Sequence, residues 1–281
     1  MLRQLPNDSL NDGKIKEKFR ELQGRREGAL IAYLTGNDPD PKSFVANATA
    51  LIEGGADIVE VGIPFSDPIA DGPIVQASSM RALSQGATPA GILDRIAELS
   101  SQFTIPFVVL SYYNPILAIG SERFLKKVHG SGVNGVVVPD LPAEEAREFG
   151  AQALRFSVDN ICLAAPNTSR TRLKTIFEES TGFVYLVSLY GVTGPRDSLS
   201  PQALETVRVT KALSGGKIPI AAGFGISRAE HVSMVIRSGA DGVIVGSALV
   251  KIVADHIGNP SEAEEKLKKT VKSLKAATCL S

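Results

Sequence analysis

The amino-acid sequence predicts an α/β fold, namely a single (β/α)8 barrel of the TIM type with extra helices at the N terminus and in the loops. Eight apolar runs of four to seven residues alternate with segments of helical periodicity, which is typical of parallel strands joined by helices. The chain has 281 residues, and one such barrel needs about 250. A doubly wound open sheet is the second candidate, but no Gly-x-Gly-x-x-Gly follows the first strand.

The predicted elements follow one another without a break in composition. Strands are expected at 29–35, 58–62, 106–111, 135–138, 161–165, 183–188, 218–222 and 242–245. Helices are expected at 14–22, 43–53, 74–83, 88–99, 121–128, 143–156 and 170–178, and three more begin at 200, 227 and 261. Ser-x-x-Glu patterns starting at Ser227 and Ser261 predict capping boxes for the last two. We therefore expect a loosely ordered extension at 1–13 and one barrel domain at 14–281.

The composition excludes several classes of function. The 30 Lys and Arg residues balance the 30 Asp and Glu residues, so no bulk positive field attracts nucleic acid or a membrane. Cys162 and Cys279 are too few for a disulfide framework or a structural zinc site. His129, His231 and His256 fall in helical segments and are expected to be solvated. No apolar run reaches the about 20 residues that cross a bilayer, and no signal peptide is visible. We expect a cytoplasmic protein.

A carboxylate interrupts the second predicted strand. Glu60 stands where a buried strand should carry an aliphatic side chain, and Pro64, Pro68 and Pro73 stiffen the loop that follows. Burial at the end of a barrel strand would raise the pKa of Glu60 towards the range useful for moving protons near neutral pH. An ion pair with an interior Lys or Arg is the alternative. No predicted strand contains either residue, so the pattern favours a catalytic role.

Other polar residues near the strand ends allow two interpretations each. Asp67 and Asp71 lie in the proline-rich loop, where Asp before Pro or Gly is also ordinary turn chemistry. Tyr33, Tyr112 and Tyr185 mark the first, third and sixth strands. They could line a pocket for a flat apolar substrate, or they could fill the top of the barrel.

Glycine-rich turns after strands seven and eight predict an anion site. The loops after these strands commonly hold a phosphate with backbone N–H groups and a helix N terminus. Glycine lets the backbone approach such a ligand closely, although these residues could simply form tight turns. The candidate ligands are Gly223, Phe224, Gly225, Gly246 and Ser247, with Gly194 of loop six as a further donor.

The proline-rich phrase also carries a family resemblance. Residues 60–73, Glu-Val-Gly-Ile-Pro-Phe-Ser-Asp-Pro-Ile-Ala-Asp-Gly-Pro, strongly resemble the signature of the tryptophan synthase alpha subunit family. Shorter phrases follow in the family's order at 26–29, 191–194, 223–227 and 246–251, so the resemblance covers about 14–277. The long phrase is highly specific, whereas the two phosphate-loop phrases are shared with other phosphate-binding barrels.

This resemblance implies a lyase that cleaves indole-3-glycerol phosphate to indole and glyceraldehyde 3-phosphate in a retro-aldol reaction. It makes Glu60 the general acid and base and Asp71 the group that stabilises positive charge at the indole nitrogen. It places Tyr112 and Tyr185 against the indole glycerol portion and Tyr33 at an aromatic position on the indole wall. Thr193 would order the proline-rich loop when substrate is bound, and the implied phosphate ligands are Gly194, Gly225, Gly246 and Ser247.

The resemblance also implies a partner. The family's alpha subunit passes indole to a pyridoxal-phosphate beta subunit in an α2β2 assembly, and the alpha chain itself needs no cofactor. The matching contact surface holds Asp67, Pro68, Asn114 and Pro142. One departure concerns loop six, where Leu189 and Tyr190 replace the Arg of many bacterial members.

Two other functions remain open at this stage. One is another phosphate-binding barrel, such as a sugar-phosphate isomerase or an aldolase. An aldolase would usually need a Schiff-base lysine on a strand, and no predicted strand has one. The other is a non-catalytic subunit that only regulates its partner, and the intact pair of Glu60 and Asp71 speaks against it.

Overall fold

The computed structural model describes residues 13–187 and 199–280, and these form the predicted barrel. Nine parallel strands follow the order β5-β4-β3-β2-β1-β9-β8-β7-β6. Their bounds are β1 Ala29–Thr35, β2 Ile58–Gly62, β3 Phe107–Leu110, β4 Gly135–Val137, β5 Asp159–Ile161, β6 Leu163–Ala164, β7 Val184–Val187, β8 Ile220–Gly223 and β9 Gly242–Val245. The predicted fold class is confirmed, and the predicted bounds of β1, β2 and β9 agree with the structure. The division into an extension and one domain stays a prediction.

Twelve helices surround this sheet in the described part of the chain. They are α1 Lys14–Gly24, α2 Pro41–Glu53, α3 Pro73–Ser84, α4 Pro89–Gln102, α5 Tyr113–Ile119, α6 Ser121–Gly130, α7 Ala146–Arg155, α8 Arg170–Glu179, α9 Pro201–Ser214, α10 Ala229–Arg237, α11 Ser247–Asp255 and α12 Pro260–Ala276. Within 13–187 and 199–280, none of them is both long and apolar enough to cross a membrane.

The fifth barrel strand is broken, which the sequence pattern did not predict. Residues 161–165 were expected to form one run, but β5 and β6 flank Cys162. The Cys162 N–H donates to the Ser180 hydroxyl at 3.3 Å instead of to a neighbouring strand. A side chain thus replaces a backbone partner, and the ladder stops for one residue.

The sequence prediction also missed two helices and misplaced the N-caps of two others. Helix α5 was missed because Pro115 suggested a break, although proline is tolerated in the first turn of a helix. Helix α11 was missed because it begins directly after β9. Both predicted capping boxes are wrong. Helix α10 has its N-cap at Arg228 and α12 has it at Asn259, and neither N-cap side chain accepts a capping bond.

The histidine prediction is partly wrong. His129 is exposed, but His231 is only 3% exposed, and its Nδ1 atom has no partner among the residues that the structure describes. His256 is half-buried, and its Nδ1 lies 2.7 Å from the Ile252 carbonyl. The apolar face of α10 brings His231 into the helix layer.

Two apolar layers hold the barrel together. Outward-facing strand residues pack against the helices, and inward-facing ones fill the barrel axis. Helix α1 covers the N-terminal end of the axis with Ile15, Phe19 and Leu22, all buried. The rings of Phe19 and Phe183 lie 5.8 Å apart between their centroids. The bottom of the barrel is therefore closed by apolar packing, which leaves the C-terminal end for chemistry.

Phe19→Ala tests whether α1 is part of this core. The change leaves the space beside Phe183 unfilled, and loss of a buried phenyl group costs about 3 to 5 kcal/mol. We expect urea denaturation to show the free energy of unfolding lowered by that amount. Gln23→Ala, at an exposed position of the same helix, should change it by less than about 0.5 kcal/mol. Similar values for both variants would contradict the assignment.

Candidate active site

A cavity of about 150 Å³ lies at the C-terminal ends of the strands, where barrel enzymes place their active sites. It brings together residues from five strands and from the loops that follow β2, β8 and β9. The lining residues are Tyr33, Ala70, Asp71, Gly72, Val75, Leu110, Tyr185, Val187, Gly223, Gly225, Ile226, Ile244, Gly246 and Ser247.

Glu60 is fully buried in β2. It is paired in register with Tyr33 of β1 and with Val108 of β3. Neither carboxylate oxygen has a hydrogen-bond partner within the described residues. Burial, and secondly the charge of Asp71, raise the pKa of Glu60 to about 8. The group therefore carries a proton at neutral pH, and the alternative of an ion pair with an interior Lys or Arg is not found among the described residues.

Asp71 lies at the end of the proline-rich loop, just before the Gly72 N-cap of α3. Burial raises its pKa to about 6, against the lowering effect of a hydrogen bond with the Tyr112 hydroxyl. That hydroxyl also accepts the Ala70 N–H at 2.9 Å. Tyr112 is 2% exposed and does not line the cavity. Its hydroxyl group instead holds the proline-rich loop in place. Asp71 is thus ionised near neutral pH while Glu60 is protonated.

The strand-end glycines provide room for two tyrosine rings. A Cβ atom on Gly62 would overlap the Tyr33 ring, and one on Gly246 would come within 3.3 Å of it. On the opposite side, a Cβ on Gly223 would lie 3.0 Å from the Tyr185 ring. Tyr33 and Tyr185 therefore pack against backbone that carries no side chain, and both line the cavity.

The anion-binding candidates occupy one end of the cavity. Gly225 has a φ of +71°, a left-handed conformation that favours glycine. Gly246 is the N-cap of α11 and makes no side-chain capping bond. The first N–H groups of a helix have no intrahelical partner, so this end of α11 can bind a negatively charged group. The Phe224 side chain points away, into the layer between sheet and helices.

The structure brings most of the predicted site together. Glu60 lies beneath the cavity, while Tyr112 and Phe224 stand outside its lining. Thr193 and Gly194 lie outside the described residues, as do Leu189 and Tyr190. Sequence reasoning missed the apolar lining residues Val75, Leu110 and Ile244. Alternation along the strand could have found Ile244, since it lies two residues before Gly246.

A (β/α)8 barrel whose floor is closed by apolar packing, and whose other end holds a cavity with the Glu60 and Asp71 carboxyl groups nearby, has the architecture of a TIM-barrel enzyme. A family model described as Tryptophan synthase alpha chain matches residues 19–279. The chain belongs to the tryptophan synthase alpha chain family. Membership of this family makes it a lyase of tryptophan biosynthesis.

Individual relatives support the assignment. The chain is 46% identical over 263 residues to the tryptophan synthase alpha chain of Methanopyrus kandleri, which covers 93% of this chain and 94% of the relative. A structure of Mycobacterium tuberculosis tryptophan synthase superposes with a TM-score of 0.87 and 34% identity, over 96% of this chain and 100% of that one. A tryptophan synthase complex from Pyrococcus furiosus gives a TM-score of 0.82 and 42% identity, over 89% and 98%.

The burial of Glu60 should make stability depend on pH. The folded chain holds the Glu60 proton up to about pH 8, whereas the unfolded chain releases it near the ordinary pKa of 4.5. The stability contributed by the neutral form is therefore complete below that lower value and is lost as the pH rises towards the upper one. We expect the melting temperature of the wild type to fall between about pH 5 and pH 8.

Glu60→Gln removes this titration, so the melting temperature of that variant should depend less on pH. Glu53→Gln, which changes an exposed carboxylate, should keep the wild-type slope. Differential scanning calorimetry in a series of buffers measures both. A slope unchanged by Glu60→Gln would show that this carboxyl group is not the buried, protonated group described here.

Proposed function

We propose that the chain cleaves indole-3-glycerol phosphate to indole and glyceraldehyde 3-phosphate, with Glu60 and Asp71 as its catalytic residues. The observation that carries the proposal is the opposite protonation of two neighbouring carboxyl groups at neutral pH. A carboxylic acid can donate a proton to carbon, and a carboxylate can stabilise the cation that results. When their surroundings move the pKa values of two carboxyl groups apart in this way, the group with the higher pKa is the proton donor and the other group is the carboxylate.

The first step is protonation of indole C3 by the Glu60 carboxyl group. The ring nitrogen then carries positive charge, and the Asp71 carboxylate stabilises it through the ring N–H as the charge appears. Glu60, now a carboxylate, takes the proton from the hydroxyl group of the glycerol carbon bonded to C3. The carbon–carbon bond breaks, its electron pair returns to the indole ring, and the hydroxyl oxygen becomes the aldehyde of glyceraldehyde 3-phosphate. The proton given to C3 and the proton taken from oxygen balance, so Glu60 ends the cycle protonated.

The cavity supplies binding groups that suit this substrate. Tyr33 and Tyr185 offer flat walls for the indole ring, and Tyr112 fixes the acidic loop. The N terminus of α11, with Gly246 and Ser247, and the turn at Gly225 offer backbone N–H groups for the phosphate. Thr193 and Gly194 are proposed to complete the site from loop six. The backbone of Gly223 and Phe224 is assigned to the same phosphate-binding end of the cavity.

The partner and the cofactor follow from the family. We propose a pyridoxal-phosphate beta subunit as the partner, in an α2β2 assembly that receives indole, and no cofactor for this chain. The P. furiosus relative is itself a complex. The proposed contact surface holds Asp67, Pro68, Asn114 and Pro142, and Ile69 beside it is 84% exposed, as a docking residue would be. A cytoplasmic location accords with the composition.

The alternative functions have less support. A Schiff-base aldolase would need a lysine on a strand, and none of the strands within 13–187 and 199–280 contains one. A non-catalytic subunit would have no reason to keep an unpaired carboxyl group in its core, because burial of such a group opposes folding whenever it is ionised.

Kinetics of Glu60→Gln and Asp71→Asn test the roles. Loss of the general acid should lower kcat by at least about 100-fold. Loss of the charge-stabilising carboxylate should lower kcat by about 100- to 1,000-fold. Free indole is extracted into an organic solvent and quantified there, because the phosphorylated substrate, which carries the same indole ring, stays in water. Exposed Glu53→Gln serves as the control. No indole from the wild type, with or without a beta subunit, would overturn the proposal, and undiminished release by Glu60→Gln would overturn the role of Glu60.

The pH dependence of kcat/KM gives an independent check. Activity needs ionised Asp71 and protonated Glu60, so the profile should be bell-shaped, with limbs near pH 6 and pH 8. Asp71→Asn should remove the acidic limb from the residual activity and keep the alkaline one. A profile that stays flat up to about pH 9 would contradict the assignment of Glu60 as the acid.

A further inference from the structure

Three buried hydroxyl groups form a hydrogen-bonded chain between β1 and α3. The Tyr33 hydroxyl lies 3.3 Å from Thr35 Oγ1, and Thr35 Oγ1 lies 2.6 Å from Ser78 Oγ. Ser78 Oγ in turn donates to the Val75 carbonyl at 2.7 Å. Tyr33, Thr35 and Ser78 are 7%, 1% and 0% exposed, so little water competes for these bonds. We call these three residues the hydroxyl chain.

The direction of each proton in the hydroxyl chain follows from its last member. A carbonyl oxygen only accepts, so the single proton of Ser78 is used on Val75. When all three contacts are made at once, Thr35 donates to Ser78 and Tyr33 donates to Thr35. Asp71 accepts its hydrogen bond from the Tyr112 hydroxyl group.

The hydroxyl chain ends on the helix that follows the catalytic loop. Helix α3 begins at Pro73, two residues after Asp71, and the Gln76 side chain donates to the Asp71 carbonyl at 2.8 Å. The Tyr33 side chain packs with Val75 of α3 and with Val250 of α11. A displacement of α3 relative to β1 would therefore move Asp71 relative to Glu60, because β1 and β2 are bonded in register.

We propose that Thr35 and Ser78 are positioning residues, which fix α3 to β1 and so hold Asp71 at its working distance from Glu60. The inference rests on the proposed function for the role of Asp71. Neither residue lines the cavity, and neither touches the reacting atoms. Asp71 acts on a charge that exists only during the reaction, so looser positioning lowers kcat and leaves KM nearly unchanged.

The test compares variants on both sides of one hydrogen bond. Ser78→Ala and Thr35→Val each remove the bond between the two side chains, whereas Thr35→Ser keeps the hydroxyl group. Ser79→Ala is the matched control, because Ser79 is a neighbouring serine of α3 that is 3% exposed and takes no part in the hydroxyl chain. Two quantities are measured without and with substrate respectively: the hydrogen–deuterium exchange of the hydrogen-bonded amides of α3 from Gln76 onward, and the kinetics of indole release.

We expect Ser78→Ala and Thr35→Val each to lower kcat by about 3- to 10-fold, the range of one neutral hydrogen bond, with KM within about twofold of the wild type. The double variant should lose clearly less than the product of the two single effects, because both single variants already lack the bond that joins the two side chains. Thr35→Ser should restore kcat. The amides of α3 from Gln76 onward should exchange faster in Ser78→Ala than in Ser79→Ala.

Several results would overturn the proposal. Equal kcat and equal exchange in Ser78→Ala and Ser79→Ala would do so, as would independent, multiplying effects of the two substitutions. A rise in KM with unchanged kcat would assign the residues to substrate binding instead. If Thr35→Val fails to fold, the comparison of Ser78→Ala with Ser79→Ala still decides. A wild type that releases no indole overturns the proposed function alone, since the exchange measurement still tests the attachment of α3.

Discussion

The rest of this structure depends on the burial of one carboxyl group that has no cationic partner among the described residues. Glu60 stands in the middle of a strand, and its two oxygens have no hydrogen-bond partner within the described residues. Such a group is tolerable only in its neutral form, because ionisation in an apolar environment is costly. The same cost makes it a useful acid at neutral pH. The apolar core around the barrel axis and the closure of its floor by α1 supply the stability against which this cost is set.

Asp71 differs from Glu60 in hydration more than in chemistry. It sits on a loop at the surface of the barrel, partly exposed, and a tyrosine hydroxyl donates to it. Proline residues limit the conformations of this loop, and contacts with Tyr112 and α3 fix its two sides. Glu60 is held by a strand and excluded from water by the core, whereas Asp71 is held by a loop and is partly exposed to water. Deeper burial and the charge of Asp71 raise the pKa of Glu60, while the hydrogen bond from Tyr112 opposes the rise at Asp71.

The sequence predicted the architecture well because strand periodicity and helix spacing are local properties. It identified β1, β2 and β9 with the observed bounds, and it identified Glu60 as buried from its place in an apolar strand. It did not predict the break at Cys162, because the Ser180 hydroxyl that causes the break is distant in sequence. It gave no physical reason to choose Asp71 over Asp67, since both fit ordinary turns and only the fold brings Tyr112 to one of them. Resemblance to a family made that choice.

Contacts between glycine and aromatic rings were equally hidden, because each joins two different strands. They have a consequence for how the cavity can change. The width of the cavity is set by two aromatic side chains that rest on bare backbone at Gly62, Gly223 and Gly246. Any side chain added at these glycines would push a ring into the open space, whereas trimming Tyr33 or Tyr185 would enlarge it. Smaller side chains at the two tyrosine positions would therefore let the cavity accept bulkier ring systems. Substitutions at the glycines can only narrow the cavity.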